Sequence, residues 1–165
     1  MNYQEYVSAL RRQAYALPYI RQLAFAVLIC KKLYPEYAKF VEAYQWGDAD
    51  LLMDAIIVCQ SRLDSNGNEP SDIAELIPKI DAIVPDTDDF GGDYLGSYAL
   101  NASVSVNETL EFILDRDSEH IINIATYYSD TVDFRIHEEN ELIDLQISQH
   151  PVMIEAWNFI LAETR

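Results

Sequence analysis

Scarcity settles several questions at once. Two cysteines, five glycines and six prolines in 165 residues leave no disulfide framework, no fibrous repeat and no low-complexity tract. Basic residues are also few: 11 Lys and Arg stand against 28 Asp and Glu, a formal net charge of -17. That charge repels phosphate backbones and anionic lipid surfaces, which argues against nucleic acid and membrane as partners. The most apolar run, Leu23 to Cys30, falls far short of the roughly 20 residues that a hydrocarbon core requires. Pro18 and Arg21 interrupt the approach to it and Lys31-Lys32 follow it. No small-residue cleavage site lies beyond, so Arg11-Arg12 is not read as part of an export signal. Cys30 and Cys59 sit within helical apolar patterns, the setting of buried reduced thiols, and the chain reads as cytoplasmic.

What is present is hydrophobicity with a helical period. Half the residues are apolar, enough for an ordered core in one domain of this length. Tyr3, Tyr6, Val7, Leu10, Ala14 and Leu17 predict an amphipathic helix over residues 3 to 16, and Pro18 suits the start of the next. Ile20, Leu23, Ala24, Val27, Leu28 and Leu33 give that second helix a broad inward face, with Lys31-Lys32 at its carboxyl end. Pro35 is expected to open a short third helix through Tyr44, ended by Trp46-Gly47. Asp48 caps a helix carrying Leu52, Ile56, Cys59 and Leu63, which runs to a turn at Asp64 to Asn68. A helix capped at Ser71 follows, kinked or restarted at Pro78, and then a loop from Pro85 to Gly92. Leu95 to Ile113 predict a long helix despite its Ser and Asn content, and Ala102 to Val106 carries only a weak strand-like alternation. Asp117 or Ser118 caps a helix through Val132, and a weaker one spans Leu142 to Ile147, with the charge run Glu138 to Glu141 as its solvated first turn. Pro151 begins the last helix, with Met153, Trp157, Ile160 and Leu161 inward. The expectation is an all-α, single-domain bundle of about seven to nine helices spanning residues 1–165.

Charge is unevenly placed. Residues 1 to 34 hold Glu5 against Arg11, Arg12, Arg21, Lys31 and Lys32, a net +4, so the remainder carries -21. Nine acids and one base, Lys79, lie between Asp64 and Asp93. Opposite signs of this size permit pairing within the chain or between subunits.

Catalytic and metal motifs lack their partners. No Glu-x-x-His occurs, which removes a ferritin-like di-iron bundle; His137-Glu138-Glu139 has Glu141 where a zincin needs a second histidine. Asp117-x-x-His120 is the one carboxylate-histidine pair at helical spacing, and surface histidines are the simpler account. Asp86 to Asp93 resembles a calcium loop, but its fifth position is Phe90 and no Glu stands at the twelfth, so capping and turn roles for the aspartates are expected. Neither cysteine has a histidine nearby, and no phosphate-cradling or dinucleotide glycine motif is present. No catalytic, cofactor-binding or metal residue is therefore assigned. The aromatic run Tyr34, Tyr37, Phe40, Tyr44 and Trp46 fits core packing first and a binding groove second. Tyr37, Tyr44, Trp46, Asp86, Asp88 and Asp89 are accordingly the candidate partner or ligand surface.

Leu33-Tyr34-Pro35-Glu36-Tyr37, Phe40 and Trp46-Gly47-Asp48, then Pro85 with Asp88-Asp89-Phe90, then His150-Pro151 with Glu155 and Trp157, form an ordered set. It resembles the YjaG-like bacterial family, domain of unknown function 416, over about residues 17 to 161. The resemblance implies an all-helical bacterial protein and brings no catalytic residue with it. Cys59 stands about where a family tryptophan is expected, and members are expected to continue into a further helix beyond Arg165, whose face a partner subunit would cover. The expected function is that of a non-catalytic acidic interaction or regulatory protein, docking a basic protein partner or a second copy of itself. The alternative is an enzyme or small-ligand binder with a pocket between helices.

Overall fold

A computed structural model describes residues 1–64, 70–140 and 142–165. Among these it has eight α-helices and no strand: α1 (Tyr3–Ala16), α2 (Tyr19–Tyr44), α3 (Ala49–Asp64), α4 (Pro70–Asp81), α5 (Tyr94–Asp115), α6 (Glu119–Glu139), α7 (Asp144–Ser148) and α8 (Pro151–Glu163). The expected turn at Ser65 to Asn68, the side chain of Ser71 and residue Glu141 lie outside the described residues.

Local chemistry sets most helix ends. Asn2 accepts the Glu5 N–H at 2.9 Å while the Glu5 carboxylate accepts the Asn2 N–H at 2.9 Å, a reciprocal cap that satisfies two otherwise orphaned donors. Tyr6, Leu10 and Ala14 then face inward at four-residue spacing. Asp48 caps α3 by accepting the Leu51 N–H at 2.9 Å. Asp117, rather than Ser118, accepts the Glu119 N–H at the start of α6. Pro151 occupies the first turn of α8, where its missing N–H costs nothing.

Two expectations are corrected in α2. The helix does not end after Leu33 and restart at Pro35 but runs unbroken for 26 residues with Pro35 inside it. Ile29, Cys30 and Leu33 before the proline, and Tyr37 and Phe40 after it, are all buried in one core. An interior proline costs about 3 kcal/mol, whereas each large buried side chain contributes roughly 1.5–3 kcal/mol, so continuous packing prevails. Ile20 is 46% exposed rather than inward. In that first turn it is Tyr19 that packs, against Phe112 at 5.3 Å between ring centroids.

Pro78 likewise stays within α4. The run Glu138-Glu139 ends α6 instead of opening α7, because the inward stripe of α6 extends to a buried Ile136.

α5 is the centre, packed against α2, α3, α4 and α6. Its buried Ser103, Ser105 and Thr109 hydroxyls each donate to the carbonyl four residues earlier, at 2.7–2.8 Å. Asn101 Nδ2 donates to Thr131 Oγ1 at 3.1 Å on α6. Satisfying these groups lets a Ser- and Asn-containing helix sit in a core. α8 closes the bundle against α6 and α1. Gln22 Nε2 donates both to the Ala14 carbonyl and to Ser118 Oγ at 2.7 Å, joining α1, α2 and the start of α6. No helix among the described residues is long and apolar enough to cross a membrane.

Candidate functional site

A cavity of about 510 Å³ lies where α1, α6, α7 and α8 meet, within the range of small-ligand sites. Helical spacing builds its walls. Asp130 and Asp133, three apart on α6, form one side beside Ser129; Met153 and Trp157, four apart on α8, form another. The short α7 adds Asp144, Leu145, Ile147 and Ser148, and Tyr3 of α1 completes the ring. Trp157 stacks on Tyr6, 5.0 Å between centroids at 12°, and Tyr3 lies 6.0 Å from the indole.

The polar groups here are poorly satisfied. Trp157 is only 2% exposed, and its indole N–H, although buried, has no acceptor in the protein. Such an N–H ordinarily finds a partner, because leaving a buried donor unmade costs about 1–3 kcal/mol. Asp133 Oδ1 is also buried without a hydrogen bond. His137 Nε2 is 3.3 Å from it, near enough for charge attraction but not aligned to donate. Burial first, and then the charge of Asp133, hold the Asp130 carboxyl above its ordinary pKa. Burial raises Asp133 too; His137 opposes the shift and Asp144 adds to it. Three carboxylates thus line one cavity, and among the described residues of its lining there is no Lys, Arg or His, although His137 stands against Asp133 from outside it.

The expected surface residues fall elsewhere. The loop after Pro85 folds into a 3-10 turn, Thr87–Phe90, in which Asp86 accepts the Asp88 N–H at 3.0 Å. Phe90 packs edge-on against Phe40, Tyr44 and Trp46 at 4.8, 5.1 and 5.5 Å. The Tyr44 hydroxyl donates to Asp93. Tyr44, Trp46, Asp86, Asp88 and Asp89 are therefore brought to one end of the bundle, with the carboxylates exposed. Tyr37 is not part of that surface: it is fully buried, and its hydroxyl donates to the Ile83 carbonyl at 2.7 Å.

A second titratable cluster spans α5 and α6. His120 is not a free surface histidine, and its partners are not Asp117. Its Nδ1 lies 2.5 Å from Glu108 and 3.9 Å from Glu111, and its Nε2 3.0 Å from Asp115. Glu108, Glu111 and His120 offer three ligand atoms within 4.8 Å of one another, the one such group of three that could hold a metal among the described residues. With both ring nitrogens hydrogen-bonded to carboxylates, an imidazolium already supplies the countercharge there. Burial disfavours that charge, but Glu108 and Asp115 together outweigh it and the His120 pKa is raised. The thiols are inert by contrast: burial pushes Cys30 up to about 12 and raises Cys59 well above its ordinary value.

Sequence reasoning placed Met153 and Trp157 in the core and did not single out Asp130, Asp133 or Asp144. The available signal was an inward indole on α8, a side chain whose N–H needs an acceptor. Asp130 and Asp133 share a helix face at three-residue spacing, but Asp144 joins them only when α6 and α7 pack.

Known proteins share this architecture. A crystal structure of a DUF416 family protein from Shewanella baltica OS155 superposes with a TM-score of 0.80 at 25% identity, covering 93% of this chain and 82% of that one. The uncharacterised YjaG proteins of Escherichia coli K12 and Salmonella typhimurium LT2 are each 24% identical over 145 residues, covering 84% of this chain and 71% of theirs. The family model for the protein of unknown function DUF416 matches residues 10–162, and the chain belongs to that family.

Proposed function

We propose that this protein is a non-catalytic small-ligand-binding protein whose site is the cavity between α1, α6, α7 and α8. The observation that carries this reading is a 510 Å³ cavity that combines aromatic and apolar walls, Trp157 and Met153, with the carboxylates Asp130, Asp133 and Asp144. The free, buried Cys30 and Cys59 support a reducing, cytoplasmic setting. The test is thermal unfolding of the protein with a mixed panel of small amines, acids, sugars and nucleotides, repeated on Ser148→Trp, which places an indole in the cavity. Stabilisation by one class that disappears in the variant supports the reading. A flat response across the panel defeats it.

The exposed Asp88 and Asp89 beside the 37%-exposed Trp46 favour a second, compatible reading, in which this end docks a basic protein partner or a basic face of a second copy. A polylysine titration followed by Trp46 emission tests it. Binding at low salt that Asp88→Asn/Asp89→Asn abolishes is the expected result, and an unchanged emission removes the reading.

A further inference from the structure

We infer that Glu108, Glu111 and His120 form a binding site for one divalent transition-metal ion of the zinc type, which clamps the end of α5 to the start of α6. The site is separate from the cavity: Ser129, the first cavity residue on α6, lies about 14 Å along the helix from His120. Glu108 and Glu111, three apart, share one face of α5. Arg116, at φ +60°, ends that helix, and α6 folds back with His120 against both carboxylates. His120 Nδ1 is 2.5 Å from Glu108 Oε2 and 3.9 Å from Glu111 Oε2, and the three atoms lie within 4.8 Å of one another. Zinc bonds of about 2.0–2.2 Å place neighbouring tetrahedral ligand atoms about 3.4 Å apart. The observed separations bracket that spacing, so small side-chain rotations close the site on one ion, with water in the remaining position.

An imidazole nitrogen sets this group apart from the acidic surface elsewhere, and it selects zinc-type ions over Mg²⁺ and Ca²⁺, which take oxygen ligands. The other ring nitrogen is already engaged: Asp115 Oδ2 lies 3.0 Å from Nε2, the carboxylate–histidine arrangement that directs Nδ1 toward a metal. Asn123 Nδ2 reaches both Glu108 oxygens, at 3.3 and 3.2 Å, and steadies that carboxylate. Charge calls for a further cation. Even as an imidazolium, His120 balances one of the three carboxylates around it, and the Lys and Arg ion pairs among the described residues go to Glu119 and Glu36. The side chains of His120 and Glu108 are only 15% and 17% exposed, so water compensates their charge incompletely. Glu111, 44% exposed, leaves an approach from solvent. The ion takes the place of the Nδ1 proton and brings one more positive charge.

The experiment titrates the full chain, first stripped with a chelator, with Zn²⁺ by calorimetry in the presence of excess Mg²⁺ and Ca²⁺, and follows the thermal midpoint. One equivalent is expected to bind saturably and to raise the midpoint, since the ion binds only the folded chain. Co²⁺ in place of Zn²⁺ should give the visible absorption of an ion coordinated directly by protein side chains. His120→Gln and Glu111→Gln should each remove the saturable site. Asp115→Asn, which touches the ring and not the ion, should weaken it by about tenfold to a hundredfold. His137→Gln should leave it unchanged, although His137 also faces a carboxylate, Asp133, at 3.3 Å. Binding that persists in His120→Gln, or that Mg²⁺ or Ca²⁺ displaces, would mean an adventitious cation only and would overturn the site. Absence of both heat and midpoint shift with Zn²⁺ would overturn it equally. Should His120→Gln fail to fold, Glu111→Gln at the exposed edge and the Co²⁺ spectrum of the parent protein decide.

Discussion

The indole of Trp157 on α8 lies nearly parallel to the ring of Tyr6 on α1, 5.0 Å away between centroids, so the two ends of the chain are joined by a stacked aromatic pair. The Tyr6 hydroxyl lies 3.2 Å from Ser129 Oγ on α6, and Ser129 also donates to the Ala125 carbonyl. Removing the hydroxyl therefore leaves Ser129 satisfied. Tyr6→Phe should cost about 1 kcal/mol, whereas Trp157→Ala should cost about 3–5 kcal/mol through lost area and a new void. Urea unfolding of both variants checks the difference.

Gly47 follows α2 at φ +87°, a backbone region that side chains rarely adopt, and a Cβ there would meet the Tyr37 hydroxyl at 2.5 Å. Gly47→Ala should destabilise by about 2 kcal/mol or more, combining backbone strain with that clash. Tyr37→Phe alone should also cost stability, because it forfeits the bond to the Ile83 carbonyl. Combined, the two changes should cost less than their sum, since the second removes the atom the first collides with. A double-mutant cycle in denaturant reads the coupling, and strict additivity would refute this account.

Pro35 is exposed and interior to α2. Its ring removes the N–H that would otherwise bond toward the Lys31 carbonyl. Pro35→Ala should raise stability by about 1–2 kcal/mol, the helix-interior penalty less the entropy that proline removes from the unfolded chain. The thermal midpoint is the measurement; a drop would mean that the proline's shape is required.

The His120 cluster makes stability depend on pH with a definite sign. Its pKa is raised above the ordinary 6.5 in the fold, so the folded state binds the proton more tightly than the unfolded one. The stabilisation is complete below about pH 6.5 and declines as pH rises through the folded value. The groups facing the ring are Glu108, Glu111 and Asp115. Relative to His120→Gln, the parent should lose thermal midpoint between pH 6 and pH 9. Parallel curves for the two proteins across that range would overturn the assignment.

Much of the helical order was readable where the determinants are local. The inward stripe of α1, the Asp48 cap, the long α5 and the Pro151 start of α8 all follow from spacing and capping chemistry within a few residues. Pro35 misled because a local penalty was outweighed by burial on both sides of it. His120 misled because its carboxylates, Glu108 and Asp115, belong to the preceding helix. They reach the ring only once α6 folds back along α5. The cavity was least legible of all: its walls come from four helices, and neither Tyr3 nor Asp144 has any sequence pattern that announces the other.

The threonine near the carboxyl end closes a ring in the topology. Thr164 Oγ1 is 3.0 Å from Gln13 Oε1, 151 positions earlier, and Tyr3 and Trp157 border the same cavity. During synthesis, α1 leaves the ribosome long before α8 exists to cover it. The cavity can take shape only after α8 has been released, so its walls assemble late in synthesis however early α1 folds.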